Sequence, residues 1–137
     1  MKAQCQCGGL RAEIIGPLDA VVVCSCVACQ QRTGAAFGEG AYAARADIVL
    51  SGEAKEFVRP TDAGNTLHQF FCPKCGTTLY YFSSRAPDRI GIAVGCIEGG
   101  EKLKPTRSVF ETSKHDWLDL GADIPGFVRG RDSARVR

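Results

Sequence analysis

The chain has 137 residues, of which 45% are hydrophobic and 23% charged, and its formal net charge is +2. This composition is typical of one folded domain with a modest core, and the small charge gives no support for a nucleic-acid partner. Residues 20–24, the longest apolar run, fall far short of the roughly 20 residues of a membrane span, which argues against a membrane partner.

Seven segments, taken in chain order, have the alternating or apolar pattern of short β-strands, with Gly, Pro or Asp near their ends. These segments are 10–15, 20–24, 47–52, 56–59, 66–71, 78–82 and 90–95. Helical turns are expected only after Cys29 and near residues 113–120. The sequence therefore predicts a single, mainly β domain with short helical turns over residues 1–125.

Residues 126–137 form the only locally basic stretch, which ends in RGRDSARVR. Gly130 and Ser133 interrupt the charges there, as in a frayed terminus. We predict a flexible tail over these residues and assign it no function. The alternative is an arm that binds nucleic acid.

Eight cysteines are present, and seven of them fall into short clusters. The clusters are Cys5-x-Cys7, Cys24-x-Cys26-x-x-Cys29 and Cys72-x-x-Cys75, and Cys96 stands alone. Disulfides gain most from closing long loops, whereas ligands of one tetrahedral ion often come in close pairs. The N-terminus also lacks the apolar stretch of an export signal, which predicts a cytoplasmic protein and favours metal binding over disulfides.

Four of the clustered cysteines suit a closed zinc site. Cys72 and Cys75 have the form of a zinc knuckle, flanked by aromatic and β-branched residues typical of two strands, and Gly76 would let the chain turn closely past the metal. Cys5 and Cys7 can supply the other two ligands. Four thiolates leave zinc no open position, so we predict a structural site that staples the N-terminus to the middle of the chain.

The remaining cluster, Cys24, Cys26 and Cys29, makes a cup of three thiolates that leaves zinc one free position. This pattern is typical of a reactive zinc, and a thiol entering the free position would lose its proton. A fourth ligand such as His68, Cys96 or an acid would instead close the site. A further alternative is that Cys24 and Cys26 are buried thiols that bind nothing.

The cysteines stand in segments that follow the order CQCG, CSCVACQQRTGAAF, FCPKCGTTL and VGCIEG, and Pro105 and Trp117 come after them. Over roughly residues 3–118, this order resembles the glutathione-dependent formaldehyde-activating enzyme family. The resemblance implies a zinc-stapled β-tent fold. It also implies a structural zinc on the knuckle set and a catalytic zinc on Cys24, Cys26 and Cys29.

In that family the catalytic zinc is associated with glutathione, whose thiolate adds to formaldehyde to give S-hydroxymethylglutathione. The resemblance therefore implies two zinc ions per chain, glutathione as thiol cofactor or co-substrate, and a carbon–sulfur lyase activity on a small electrophile. Arg32 is the nearest cation that could hold a glutathione carboxylate, and the loop of Thr33 and Gly34 could offer backbone donors. The alternative for Arg32 is a solvated surface charge.

Several positions depart from the family pattern. Many members have histidine at the position of Ser25, arginine at that of Gln30 and histidine at that of Ser108, and Cys96 stands in a turn where acidic residues are common. These departures concern the expected active cleft and leave the structural site intact. A non-catalytic glutathione carrier, or an interaction module stapled by zinc, is therefore the alternative to an enzyme.

Overall fold

Ten β-strands and one α-helix form the regular structure of residues 1–137, all of which are described by a computed structural model. The strands are β1 (Lys2–Gln4), β2 (Arg11–Ile14), β3 (Ala20–Cys24), β4 (Gly38–Ala44), β5 (Ile48–Ser51), β6 (Lys55–Pro60), β7 (Thr66–Phe71), β8 (Thr78–Ser83), β9 (Arg89–Ala93) and β10 (Arg107–Val109). The helix α1 spans Val27–Thr33, and 3-10 turns lie at Arg45–Asp47, Val94–Cys96, Gly100–Lys102 and Glu111–Ser113. No helix in this chain has both the length and the apolar composition needed to cross a membrane.

The strands form two sheets. A three-stranded sheet has the order β1-β2-β5, and a seven-stranded sheet has the order β10-β3-β4-β9-β8-β7-β6. All neighbouring strands are antiparallel except β10, which pairs in parallel with β3. The larger sheet therefore ends in β10 on one side and in β6 on the other.

The main core lies between the two sheets. It is a cluster of 15 buried residues, to which Leu10 and Ile14 come from the smaller sheet region and Val21, Ala41 and Ile92 from the larger sheet. Because side chains alternate along a strand, the residues between these core positions face the opposite side of the larger sheet. One shared core confirms the prediction of a single, mainly β domain, and the opposite face of the larger sheet is left to line a cleft.

All seven predicted strands are present, with ends within two residues of the prediction. β1, β4 and β10 were not predicted. β4 has the sequence GEGAYAA, which is poor in strand-forming residues. It forms a strand because small residues are needed there: a Cβ at Gly40 would clash with the Tyr81 hydroxyl, and a Cβ at Gly91 on β9 would lie 2.7 Å from the Tyr81 ring.

The helical predictions are only partly correct. The helix α1 begins at Val27, so it includes Cys29 instead of following it. The second predicted turn is displaced, because the 3-10 turn lies at Glu111–Ser113 and residues 114–120 contain no helix.

The C-terminal segment contacts β10 and the turn after it. Gly126 forms a parallel bridge with Ser108. The Arg137 guanidinium forms a salt bridge of 2.9 Å with Glu111, and the Phe110 N–H donates to the Arg129 carbonyl. The division of the chain at residue 125 and the flexibility of residues 126–137 stay predictions.

Candidate metal centres and the adjoining cleft

Cys5, Cys7, Cys72 and Cys75 come together between two hairpin turns. Cys5 and Cys7 lie between β1 and β2, and Cys72 and Cys75 lie between β7 and β8. Their Sγ atoms all lie within 4.8 Å of one another. The Cys7 Sγ is 3.6 Å from the Sγ atoms of both Cys5 and Cys72. These four sulfurs could hold a metal ion.

Each of the two turns contains a glycine in the left-handed region. Gly8 has φ 76° and Gly76 has φ 78°. The Gly8 N–H donates to the Cys5 carbonyl and the Gly76 N–H to the Cys72 carbonyl. A Cβ at Gly76 would meet no protein atom within 4 Å, so its positive φ is the reason for glycine that the structure shows.

Hydrogen bonds favour the thiolate form of two members of this set, Cys5 and Cys75. The hydrogen bond from the Gly9 backbone lowers the pKa of Cys7, but contacts with Cys72 and Cys5 outweigh it and raise that pKa to about 11. The Leu10 N–H donates to the Cys5 Sγ at 3.2 Å, and the Thr77 hydroxyl lies 3.3 Å from the Cys75 Sγ. The side-chain and backbone hydrogen bonds from Thr77 lower the pKa of Cys75 to about 5. Metal ligation needs deprotonated cysteines, so these donors prepare these two cysteines for binding.

Cys24, Cys26 and Cys29 form the second set, at the junction of β3 and α1. Cys24 is the last residue of β3, Cys26 caps the N-terminus of α1, and Cys29 lies in its first turn. The Cys29 N–H donates to the Cys26 Sγ at 3.3 Å. The three Sγ atoms lie within 4.8 Å of one another, and no histidine, carboxylate or fourth cysteine belongs to this group. The three sulfurs could hold a metal ion.

Two residues considered as a fourth ligand are engaged elsewhere. His68 stacks on Phe82 with ring centroids 4.6 Å apart, and its Nε2 lies 3.0 Å from the Thr66 Oγ1. Cys96 packs against the main core and lines a cavity together with Cys5, beside the other cysteine set. Both cysteine sets thus have the membership that the spacing predicts, and their roles as ligands stay predictions.

Arg32 places a positive charge against the three-cysteine set. Its Cζ lies 4.4 Å from the centroid of the Tyr81 ring, and its Nε is buried without a hydrogen-bond partner. Hydrogen bonds from Cys24 and Cys26, together with the Arg32 charge, lower the pKa of Cys29 to about 2. This guanidinium is therefore not a solvated surface charge.

The three-cysteine set opens into a cavity of about 630 Å³ on the cleft face of the larger sheet. Arg32, Tyr42 and Tyr81 line it beside the cysteines. Thr33 and Gly34 lie outside the lining, since the Thr33 hydroxyl donates to the Cys29 carbonyl at 3.0 Å and the Gly34 N–H donates to the Gln30 carbonyl at 2.7 Å. The structure thus brings Arg32 to the cysteines and leaves the next two residues at the end of α1.

Tyr81 is a cleft residue that no sequence motif marks. The available signal is strand alternation: Tyr80 packs in the main core, so its neighbour Tyr81 faces the cleft. Burial raises the pKa of Tyr81 to about 12. Its hydroxyl therefore remains protonated at neutral pH and can donate a hydrogen bond into the cavity.

Comparison with known proteins identifies the family. The sequence profile of the glutathione-dependent formaldehyde-activating enzyme family matches residues 1–113. The chain belongs to this family. The matched residues include both cysteine sets, Arg32 and Tyr81, whereas the C-terminal segment lies beyond the match. Family membership confirms the resemblance described above and supports glutathione-dependent activation of formaldehyde as the activity to test.

The fold of this family member is similar to that of a Rhodobacter sphaeroides protein of known crystal structure. The two share 24% sequence identity with a TM-score of 0.55, over 72% of this chain and 89% of the other. At this identity the likeness concerns the fold alone. A search of curated proteins finds none that matches this chain.

Three of the four positions that depart from the family pattern, Ser25, Gln30 and Ser108, are neighbours in the structure. Cys96 is not among them, because it lines the cavity beside Cys5 and not the cleft. Ser25 and Ser108 are fully buried, and neither hydroxyl has a hydrogen-bond partner. The Ser25 N–H donates to the carbonyl of Val109, the residue after Ser108. The Gln30 Nε2 donates to the carbonyls of Ser25 at 2.8 Å and Ser113 at 3.1 Å. Gln30 therefore ties the loop before α1 to the turn after β10.

Proposed function

We propose that the protein is a zinc-dependent enzyme of the carbon–sulfur lyase type, which adds glutathione to a small aldehyde such as formaldehyde, or reverses this addition. The observation that carries the proposal is the cleft in which three cysteine sulfurs, the Arg32 guanidinium and the Tyr81 hydroxyl meet. A larger cavity, of about 790 Å³, lies beside Cys5. That set offers four sulfurs, which leave a metal ion no open position.

Zinc fits both sets by the chemistry of the donors. Thiolate sulfurs bind zinc at about 2.3 Å, which places neighbouring sulfurs of a tetrahedral site about 3.8 Å apart. The separations of 3.6 Å from the Cys7 Sγ to those of Cys5 and Cys72 are close to this value. Soft sulfur ligands also favour zinc over magnesium or calcium. In this proposal the four-cysteine set holds a structural zinc and the three-cysteine set a catalytic one.

A zinc ion held by Cys24, Cys26 and Cys29 would take a thiol in its fourth position and keep it as the reactive thiolate. The residues around this position supply the remaining requirements. The Arg32 charge offsets the negative charge of the thiolates in a partly buried site. The same guanidinium, stacked on the Tyr81 ring, holds that side chain in place at the cavity wall.

The addition itself needs no redox partner. The thiol sulfur forms a bond to the carbonyl carbon, the π bond of the C=O group breaks, and its electron pair moves to oxygen, which takes up a proton. The thiol loses one proton and the new hydroxyl group gains one, so the addition is balanced. The Tyr81 hydroxyl is the neutral donor that lines the cavity, and we assign it the hydrogen bond to the developing oxygen anion.

Arginines in the same cavity can hold the two carboxylates of glutathione. Arg32 keeps the role expected from the sequence, and Arg59 and Arg129 line the same space. The proposal does not use Thr33 and Gly34, because their donor groups already bond within α1 and its end.

All eight cysteines are free thiols, which agrees with a reducing compartment such as the cytoplasm.

The second candidate is a glutathione carrier, or an interaction module stapled by zinc, without turnover. Ser25 and Ser108 favour it, because two small buried hydroxyls stand where many family members present histidine. Neither hydroxyl reaches the cavity lining. This candidate predicts glutathione binding without any acceleration of adduct formation.

The deciding measurement is the exchange rate between formaldehyde and its glutathione adduct, followed by NMR with and without zinc-loaded protein. The enzyme accelerates exchange, and Y81F lowers the acceleration about 100–1,000-fold if this hydroxyl donates to the oxygen anion. Y80F is the matched control, since Tyr80 packs in the core on the other face of the same strand. Glutathione binding with no acceleration would select the carrier.

A further inference from the structure

A second cavity continues the cleft away from the three-cysteine set. It has a volume of about 520 Å³ and lies over the edge of the larger sheet formed by β3 and β10. Val22, Tyr42, Leu67 and Phe110 line both cavities, so the two are parts of one cleft. A molecule held at the cysteines can therefore extend into this second cavity.

Arginine is the dominant charged residue of the cleft. The first cavity is lined by one acid, Asp62, and by Arg32, Arg59 and Arg129. The second is lined by one acid, Asp88, and by Arg85, Arg89, Arg107 and Arg131. No lysine lines either cavity. The formal charge of +2 for the whole chain thus conceals a concentrated positive region.

Two of the arginines in the second cavity have carboxylate partners. Arg85 pairs with Asp132 and Arg89 with Asp19, both at 2.5 Å. Arg107 and Arg131 form no salt bridge, and the Arg107 Nε is buried without any hydrogen-bond partner. Burial and then the positive charge of Arg131 lower the pKa of Arg107. A partly buried guanidinium beside a like charge is unfavourable unless an anion neutralises it.

The strand register places Arg107 on the same face of the sheet as the reactive cysteines. Arg107 lies opposite Val22 on β3, and Val109 lies opposite Cys24. Two residues along a strand span about 7 Å, so the Arg107 row is about that far from the Cys24 row. A chain of a few atoms could thus join a carbonyl at the cysteines to an anionic group at Arg107.

We propose that Arg107 and Arg131 bind a carboxylate or phosphate group carried by the electrophilic substrate. The planar forks of arginine match the oxygens of both anions, and Arg131 is exposed at the mouth where such a group enters. This inference rests on the proposed function, since it names the class of aldehyde used at the same site. Formaldehyde has no group that could occupy the second cavity, so the preferred electrophile is an anionic aldehyde.

The first test measures anion binding without turnover. Zinc-loaded protein is titrated by calorimetry with inorganic phosphate and with malonate, each in the presence of saturating glutathione. We expect at least one anion to bind, at least tenfold more weakly in R107A/R131A and unchanged in K55A/K102A, which removes the same charge from exposed sites outside the cleft. The anion that binds more tightly distinguishes phosphate from carboxylate.

The same titrations are repeated without glutathione, and three results would overturn the inference: no binding of either anion in either condition, equal binding by R107A/R131A, or binding that occurs only without glutathione. The last result would assign these arginines to the thiol. Because Arg107 is partly buried, R131A is tested as well, since its exposed side chain can be removed without disturbing the core. R131A is expected to weaken anion binding by at least threefold, and unchanged binding in this folded variant counts against the site.

The second test compares 4-oxobutanoate with butanal, which have the same chain length and differ in the carboxylate. The ratio of their kcat/KM values should favour 4-oxobutanoate and fall at least tenfold in R107A/R131A. A ratio unchanged by the substitutions would refute the inference while leaving the proposed function intact. If no aldehyde is turned over, the proposed function fails, and the calorimetric titration still decides whether the anion site exists.

Discussion

Gly91→Ala tests whether the larger sheet depends on space reserved for two tyrosine rings. A Cβ at Gly91 would lie 2.7 Å from the Tyr81 ring and 2.9 Å from the Tyr42 ring, closer than real Cβ contacts allow. The rings themselves meet edge to face with centroids 6.1 Å apart, so neither can move without disturbing the other. Overpacking of this kind costs about 1–3 kcal/mol.

The expected effect on the melting temperature follows from the chain length. With 137 residues and about 2.1 cal/mol/K of unfolding entropy per residue, this cost lowers Tm by about 3–10 °C. Gly91→Ala should also weaken glutathione binding, because Tyr81 and Tyr42 line the first cavity. Both effects are measured on zinc-loaded protein, by thermal denaturation and by calorimetric titration.

Gly95→Ala is the matched control, four positions further along the chain. A Cβ at Gly95 meets nothing within 4 Å, and its φ is not positive. Here alanine should leave Tm unchanged or raise it slightly, because it restricts the unfolded chain. Equal Tm values for the two variants would refute the packing explanation for β4 and β9.

Three further perturbations address the metal sets, the C-terminal contacts and Gln30. C72S should unfold the domain and lose both zinc ions, since a structural zinc contributes about 10–16 kcal/mol, whereas C26S should lose only one ion and stay folded. Deletion of Arg137 should lower the free energy of unfolding by about 1–3 kcal/mol, because Glu111, with a side chain only 4% exposed, loses its cation. Q30A should cost about 1–3 kcal/mol, because two backbone carbonyls lose the same donor.

Each of these expectations has its own control. C96S should retain both zinc ions, and a loss of one ion would assign Cys96 to a metal site. Deletion of Arg137 should cost much less in an E111Q background, and an equal cost there would exclude the salt bridge as the cause. Q31A, at an exposed residue that makes no side-chain hydrogen bond, should leave stability within about 0.5 kcal/mol. Elemental analysis and chemical denaturation supply the readouts.

Short-range spacing is why the cysteine sets could be predicted. Two ligands separated by one or two residues must lie close together in any fold. The pairs Cys5 with Cys7 and Cys72 with Cys75 therefore predict a four-cysteine site once the two turns are assumed to meet. Strand alternation likewise predicts seven strands, because the core between the sheets imposes a period of two. β4 does not show this pattern in its sequence because its residues are small: Ala41 and Ala43 are fully buried but are weak strand formers, and Gly40 leaves room for the Tyr81 hydroxyl.

The second half of the cleft could not be predicted, because its residues come from distant parts of the chain. Arg89 begins β9, inside the larger sheet, and Arg107 lies on β10 at one edge, yet both line the second cavity. Their proximity depends on the order of the strands, which local patterns do not reveal. The net charge of +2 averages these arginines with carboxylates elsewhere, and so gives no indication of an anion site.

The C-terminal segment is another part of the cleft that its local sequence pattern does not predict. Its alternating charges are typical of a frayed end, yet the Arg129 carbonyl accepts the Phe110 N–H, and both residues line the first cavity. Phe110 itself has φ 57°, the only positive φ outside glycine, and it lines both cavities. Such strain persists only where surrounding contacts enforce it. Since the family match ends at residue 113, Arg129 and Arg131 complete the wall of the cleft from outside the matched region.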